Sequence, residues 1–464
     1  MTGVGENYFS AYAVFLKATT PEVGLMAALP PLLASFAQMF AVLLGQLTGL
    51  RKEIIVAGAM IQILALLLIA WLPGYFPDWS FPLLLLSVIL YFAGPNLGAP
   101  LWSSLMGAVV PESVRGRFFA RRTRLSSIAS FSALLGAGAT LQMFDLAGYT
   151  LYGFVTIFSI GMLARAYSCW QLGQLYDPPR AGRQAPAHER DGVPGWKTLR
   201  ENPHFLRFSL FFASMQFAVA ISGPFVVVYL LRDLHFSYIE LTLNTAASVL
   251  MQFLVLSRWG RLSDLFGNRI ILRVTGYGIP VIPVLWVLSP DFFYLLFVQM
   301  MSGLVWSGYS LSTSNFLFDL TPPQKRAGLM AFHNIFGSVA VFLGASFGSF
   351  LAVKLPVSIE ISGYLWTWGS VFYGLFLSSA LLRLCIGLLF LPRIEEVRAV
   401  RNMTYHGLIF RVTRFSPVSG VIFEIISRAR SQRPGKRRRR RGKSLSSAKP
   451  DGDSSAAPDD KNPD

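Results

Sequence analysis

"GRLSDLFGNR", residues 260–269, separates two long apolar runs with two arginines, one acid and two glycines. A soluble chain has no need of such a break. A chain that leaves a bilayer and re-enters it does, because the turn must stay in water while its flanks stay in hydrocarbon. Composition points the same way. The 464 residues are 53% hydrophobic and only 14% charged, with 38 phenylalanines and a mean hydropathy of +0.49. Soluble domains carry about 25% charged residues. A soluble fold of this length cannot hide so much apolar surface, so the chain reads as an all-α, polytopic membrane protein.

A spanning helix needs about 20 mostly apolar residues. Eleven runs qualify, near 23–44, 53–73, 81–109, 122–144, 149–175, 206–232, 239–258, 270–289, 292–318, 331–354 and 366–392. Residues 1–18 form a twelfth that is short for a full crossing, so the expectation is twelve helices with a short first one. Alternate loops collect the basic residues: Arg51 and Lys52, Arg115 to Arg124, Arg180 to Arg200, Arg258 to Arg273, and Lys325 with Arg326. By the positive-inside rule that face is cytoplasmic, which places both termini inside. No cleavable leader is evident at the N-terminus. Cys169 and Cys385, both within apolar runs, read as packing residues rather than a disulfide or metal site.

The opening stretch has a counterpart. Gly45-Gln46-Leu47-Thr48 stands opposite Gly260-Arg261-Leu262-Ser263, and Arg165 in the sixth span mirrors Arg383 in the twelfth. Pro111 to Arg115-Gly116 is matched by Pro322 to Arg326-Ala327. Small residues recur in spans five (Ala133, Gly136, Ala137, Gly138) and eleven (Gly337, Gly344, Gly348), where they permit close helix approach. Two six-helix halves emerge, roughly 211–218 residues apart. The division expected is 1–177 for the first half, 178–204 for a linker, 205–394 for the second half and 395–464 for a basic tail.

Residues 260–269 resemble the cytoplasmic loop signature of the major facilitator superfamily. They match it at Gly260, Leu262, Ser263, Asp264, Gly267 and Arg269, and depart from it at Leu265 and Asn268, where a basic residue is usual. The first-half copy, "GQLTGLRK", lacks the acid. "NPHFLRF" and "GPFVVVYLL" add a likeness to bacterial members of that family, over about residues 1–395. The resemblance implies a twelve-helix secondary transporter in a bacterial inner membrane. Independently of it, Gly260 and Gly267 allow a tight turn. Asp264 is placed to latch onto the basic start of span five, at Arg117, Arg121 and Arg122, when the cytoplasmic side closes.

Polar groups inside the membrane are functional candidates. Glu6, near the midplane, is the candidate proton-coupling carboxylate. Asn7, Asn96, Gln216, Asn244, Gln252, Asn315 and Asn334 are candidates for lining a cavity or contacting substrate, with His333 beside the last of them. Arg165 and Arg383 read as structural, snorkelling or pairing near the cytoplasmic end, with anion binding as the alternative. The cavity has few acids, which disfavours a multiply cationic substrate and favours a neutral, apolar or weakly acidic one. No residue pattern suggests a metal site, a cofactor or an enzymatic centre.

The linker at 178–203 is Pro-rich and charged, with a short amphipathic helix expected near Trp196. Residues 403–427 are expected to lie along the interface, followed by "GKRRRRRGK" (435–443) and a disordered end. The segment 395–464 carries 16 basic and 8 acidic residues, or +8 of the total +17. Beside a membrane such a run is expected to meet anionic lipid rather than nucleic acid. The resulting expectation is a monomeric transporter of a small molecule, working by alternating access and exporting with proton coupling. The alternative is a receptor or scaffold on the same fold.

Overall fold

The computed structural model describes residues 3–177, 202–322, 325–355, 358–361, 364–367 and 369–396. The chain divides into two units, 1–412 and 413–464. The second unit, the 403–427 segment, the Arg-rich run and the expected helix near Trp196 all lie outside the described residues.

Eleven helical stretches among the described residues are long and apolar enough to cross a bilayer. The first half holds α1 (Phe9–Phe15), α2 (Thr20–Thr48), α3 (Arg51–Tyr75), α4 (Ser80–Val109), α5 (Glu112–Leu146) and α6 (Thr150–Gly173). Helix α1 has seven residues and is not among those eleven stretches. The second half holds α7 (Pro203–Ala220), α8 (Phe225–Val228) and a π turn (Tyr229–Asp233), then α9 (Tyr238–Phe266), α10 (Asn268–Gly278) and α11 (Val281–Leu288). It closes with α12 (Phe292–Leu320), α13 (Arg326–Lys354) and α14 (Val371–Phe390). A small antiparallel hairpin, Ser358–Ile361 against Tyr364–Thr367, precedes α14 and is the one departure from an all-helical chain among the described residues.

Two spans are broken rather than continuous. The seventh breaks at residues 221–224, where Gly223-Pro224 stops α7. The ninth breaks between α10 and α11, at Ile279-Pro280. A membrane tolerates such breaks only where neighbouring protein satisfies the freed backbone groups.

The repeat is exact in its turns. Lys17 (φ 60°) and His235 (φ 52°) take left-handed conformations at positions 218 residues apart. Each precedes a capping box. The Thr19 backbone N–H and hydroxyl donate to Glu22 Oε2 (2.6 and 2.8 Å), and those of Ser237 donate to Glu240 Oε2 (2.8 and 2.8 Å). Helices α2 and α9 end at Gly49 (φ 71°) and Gly267 (φ 84°), again 218 apart. Only glycine adopts such angles at little cost. Gly260, by contrast, lies inside α9, with nothing within 4 Å of where a Cβ would stand. The turn therefore belongs to Gly267 alone, because 260–266 continue the helix.

Between the halves, α2 packs on α13 and α5 on α9, while α1 and α2 meet α8. Gly344 and Gly348 bring α13 against the α7 backbone at Phe217 and Ile221, and Gly138 brings α5 against Thr242 of α9. Gly136 faces open space. The thiols are free: Cys169 is half-buried and Cys385 is exposed. Cys385 is thus not the buried packing residue its apolar run suggested, because it lies on the outer side of α14.

The hydrophobic core is distributed unevenly along the helix axes. Away from the basic loops, one cluster unites both halves, including Tyr8, Tyr12, Phe154 and Phe158 with Phe225, Tyr229, Trp286 and Phe372. Phe154 meets Tyr238 of the other half edge-on at 5.6 Å. At the basic end each half has its own core. Ile54, Leu101 and Leu105 belong to a cluster confined to the first half. Phe208, Phe211 and Phe316, and Val255, Trp259 and Ile271, belong to clusters confined to the second.

Candidate functional site

The division of the core defines an opening. On the closed side, Tyr8 Oη donates to Leu134 O (2.8 Å) and shares a hydrogen bond with Thr242 Oγ1 (2.8 Å), joining the first span, α5 and α9. The Ile239 backbone N–H donates to Gln142 Oε1 (3.2 Å), and Arg232 donates to Ala18 O. Towards the basic end α5 and α9 part. A cleft of about 740 Å³ opens between them, walled by Phe119, Thr123, Arg124, Ile128, Phe131 and Phe253 among others. Most α5 side chains from Arg117 to Ala129 are exposed, while Phe119 and Arg122 meet the Trp102 ring of α4.

The loop motif is engaged within its own half. Ser263 Oγ donates to Asn268 Oδ1 (2.5 Å). Asn268 Nδ2 donates to Asp319 Oδ2 (3.3 Å), and Asn315 Nδ2 reaches both Ser263 Oγ (3.3 Å) and Asn268 Oδ1 (3.2 Å). Asn268 is fully buried, so the residue that departs from the family pattern is the centre of a network holding α9, α10 and α12 together. The Arg269 backbone N–H donates to Glu396 Oε2 (2.8 Å). In the first half the matching arginine uses its side chain: Arg51 Nη2 pairs with Asp177 Oδ1 (2.7 Å). Asp264 is exposed and makes no hydrogen bond or ion pair with any described residue. Arg117 and Arg121 are likewise exposed, and neither meets Asp264. Arg122 lies over the Trp102 ring (4.2 Å).

Of the polar candidates, Glu6 and Asn7 lie in the turn before α1 and are exposed. Tyr91 Oη of α4 reaches Glu6 Oε1 (3.4 Å). Asn96 Nδ2 donates back to Phe92 O of its own helix (2.8 Å). Gln252 Nε2 contacts Ser248 Oγ at 3.5 Å. Gln216 is half-buried and Asn334 exposed. Asn244 is 0% exposed, and neither of its amide atoms has a partner among the described residues. Asn315, expected near a cavity, serves the loop network instead. His333 is buried, with Nδ1 3.0 Å from Ser209 Oγ and its ring 4.4 Å from that of Phe212.

Arg383 requires a correction. It does not snorkel towards the basic end. It is 5% exposed, and Nη2 donates to Ser222 Oγ (2.8 Å) and Val219 O (3.3 Å). Ser379 Oγ donates to Ala218 O (2.6 Å), and Ser222 Oγ to Ser379 Oγ (3.1 Å). The guanidinium therefore sits at the C-terminus of α7, where the helix dipole favours a cation; Val219 O accepts from the Ser222 and Gly223 backbone N–H groups as well (3.3 and 3.0 Å). The sequence signal for this was present in Gly223-Pro224, which marks the break. No group of three or more His, Cys, Asp or Glu among the described residues is arranged to hold a metal ion.

A family model described as the Major Facilitator Superfamily matches residues 4–230 and 208–404. No curated protein matches. Among solved structures, a mutant of the nucleoside transporter NupG aligns with a TM-score of 0.64 at 15% identity, covering 85% of this chain and 96% of that one. The xylose transporter XylE from E. coli, in a partially occluded inward open conformation, aligns at 0.59 and 13% identity over 86% and 97%. A bacterial homologue of the iron transporter ferroportin, in an inward-facing state, aligns at 0.57 and 15% over 85% and 96%. Identities this low bear on the fold alone.

Proposed function

The chain belongs to the major facilitator superfamily, and on that premise we propose that it is a secondary active transporter of a small molecule working by alternating access. The observation that carries this reading is the uneven core. One cluster seals both halves at one end, and separate clusters leave them parted at the other. A rigid scaffold gains nothing from leaving a cleft of about 740 Å³ between its halves. A rocking pair of halves needs one.

With the loops rich in Lys and Arg on the cytoplasmic side, the conformation is inward-facing and both termini are cytoplasmic, and the resemblance to bacterial members of the family makes the membrane a bacterial inner membrane. The exposed, unpaired Asp264 fits this state, since a latch to Arg117 and Arg121 engages only when the cytoplasmic side closes. Glu6, facing the Tyr91 hydroxyl, is the coupling carboxylate. Proton-coupled export by a monomer, with the basic tail on anionic headgroups, completes the reading.

The test uses single cysteines in a Cys169→Ser/Cys385→Ser background in proteoliposomes. Ser127→Cys reports the cleft and Ala18→Cys the sealed end. Labelling rates with an impermeant maleimide are expected to change in opposite directions when a pH gradient is imposed, and Glu6→Gln is expected to abolish the response. Rates that never change reciprocally would overturn alternating access and leave the scaffold reading standing.

A further inference from the structure

The cleft between α5 and α9 has a polarity along its length. On α5, Arg117, Arg121, Arg124, Ile128 and Phe131 follow one another at spacings of four, three, four and three, which places them on one face of the helix. Arg124, Ile128 and Phe131 line the cleft, so that face is the one turned into it. The first three residues put cations at the basic mouth. The last two, with Phe253 and Leu256 of α9 opposite, make the deeper walls apolar. From Arg124 to Phe131 the helix rises about 10 Å. α5 rejoins α9 at Gly138, about 21 Å beyond Arg124 and deeper than one hydrocarbon leaflet of about 15 Å.

The charges at the mouth are available. Arg117, Arg121 and Arg124 are exposed, and none forms a hydrogen bond or ion pair with a described residue. The facing stretch of α9, residues 252–266, carries Arg258 and Arg261 with a single acid, Asp264. The single acid of α5 before its last turn is Glu112, at its start. The mouth is therefore net positive on both walls.

We propose that this cleft takes a single-chain anionic amphiphile, its acyl chain against Ile128, Phe131, Phe253 and Leu256 and its headgroup on Arg117, Arg121 and Arg124. The cleft volume lies within the range of pockets that enclose small ligands, about 300–1,000 Å³. Chain burial supplies the affinity, which grows with each methylene taken out of water, and the arginines supply selectivity for charge. The inference deepens the transporter reading by naming a substrate class, and it rests on that reading only for the cleft being part of the transport path.

The test is photolabelling of the full-length protein in phosphatidylcholine nanodiscs with a long-chain fatty acid bearing a diazirine near its tail. Labelled peptides are mapped by mass spectrometry. The acid is expected to mark the segments around Ile128–Phe131 and Phe253–Leu256. The matching fatty alcohol and a diazirine phosphatidylglycerol with two chains are expected to mark them about tenfold less. Arg117→Gln/Arg121→Gln/Arg124→Gln is expected to cut labelling by the acid about tenfold, and Ile128→Trp to block it, with thermal melting confirming that both variants fold. Labelling elsewhere, equal labelling by the alcohol or the two-chain lipid, or full competition by inorganic phosphate overturns the proposal. Cleft labelling without reciprocal cysteine accessibility overturns the transporter reading and leaves the binding site intact.

Discussion

The seal between α5 and α9 offers a direct handle on the conformational equilibrium. A Cβ at Gly138 overlaps the Thr242 side chain, so that something must shift, whereas a Cβ at Gly136, two residues earlier on the same helix, meets nothing within 4 Å. Gly138→Leu therefore overpacks the closed end, and Gly136→Leu adds the same side chain to open space. Overpacking costs about 1–3 kcal/mol. The cost falls on the inward-facing state, where α5 and α9 touch at this point. At about 2 kcal/mol, the ratio of inward- to outward-facing molecules falls about 30-fold. The assay is maleimide labelling at Ser127→Cys and Ala18→Cys. Gly138→Leu is expected to slow the first and speed the second, while Gly136→Leu leaves both unchanged. Equal effects from the two leucines would refute the reasoning, because helix propensity or lipid packing would then be responsible. No effect from Gly138→Leu in a folded protein would refute it equally, because the crossing would not carry the seal.

The remaining expectations concern the buried polar groups of the second half. Asn268→Ala strips partners from Ser263, Asn315 and Asp319 at a fully buried position, and is expected to cost about 2 kcal/mol, read as a lower melting temperature in detergent; an unchanged melting point would show the network to be dispensable. Arg383→Ala leaves a cavity and unpaired groups at the α7 terminus and is expected to cost about 3 kcal/mol, whereas Arg383→Met, which keeps the volume, is expected to be near neutral. If Met proves as damaging as Ala, the α7 carbonyls require the charge itself.

Spans, repeat and family were legible because each follows from composition summed over many residues. Eleven apolar runs became eleven spanning stretches because a bilayer leaves helices as the main way to satisfy the backbone. The breaks at Gly223-Pro224 and Ile279-Pro280 were equally present in the sequence, but hydropathy averaging passes over single breakers. Gly260 and Gly267 looked alike as turn formers, and only the ending of α9 separates them. The partners of Asn315 and Arg383 were not legible. Asn315 meets residues about 50 positions away and Arg383 residues about 160 away, and no local pattern encodes such pairings. The cleft lay beyond reach for a different reason: it belongs to one arrangement of the halves, and under the proposed alternating access the sequence encodes another as well.

The repeat also sharpens the account of the embedded charges. Arg165 and Arg383 stand 218 residues apart, as do Tyr91 and Tyr309, so each half carries an arginine and a tyrosine at matching positions. A cation inside a membrane is costly unless something offsets it, and the halves use different means. In the second half the offset is the end of α7, whose carbonyl and serine Arg383 engages, while the Tyr309 hydroxyl has no partner among the described residues. In the first half Arg165 is only half-buried, and it is the matching tyrosine, Tyr91, that reaches Glu6. One half thus ties its arginine to fixed dipoles that no proton alters, and the other ties its tyrosine to a carboxylate whose charge a proton removes. Under the proposed coupling role, the Tyr91–Glu6 contact is the one that protonation changes, so the proton acts on the first half of a template that the second half shares.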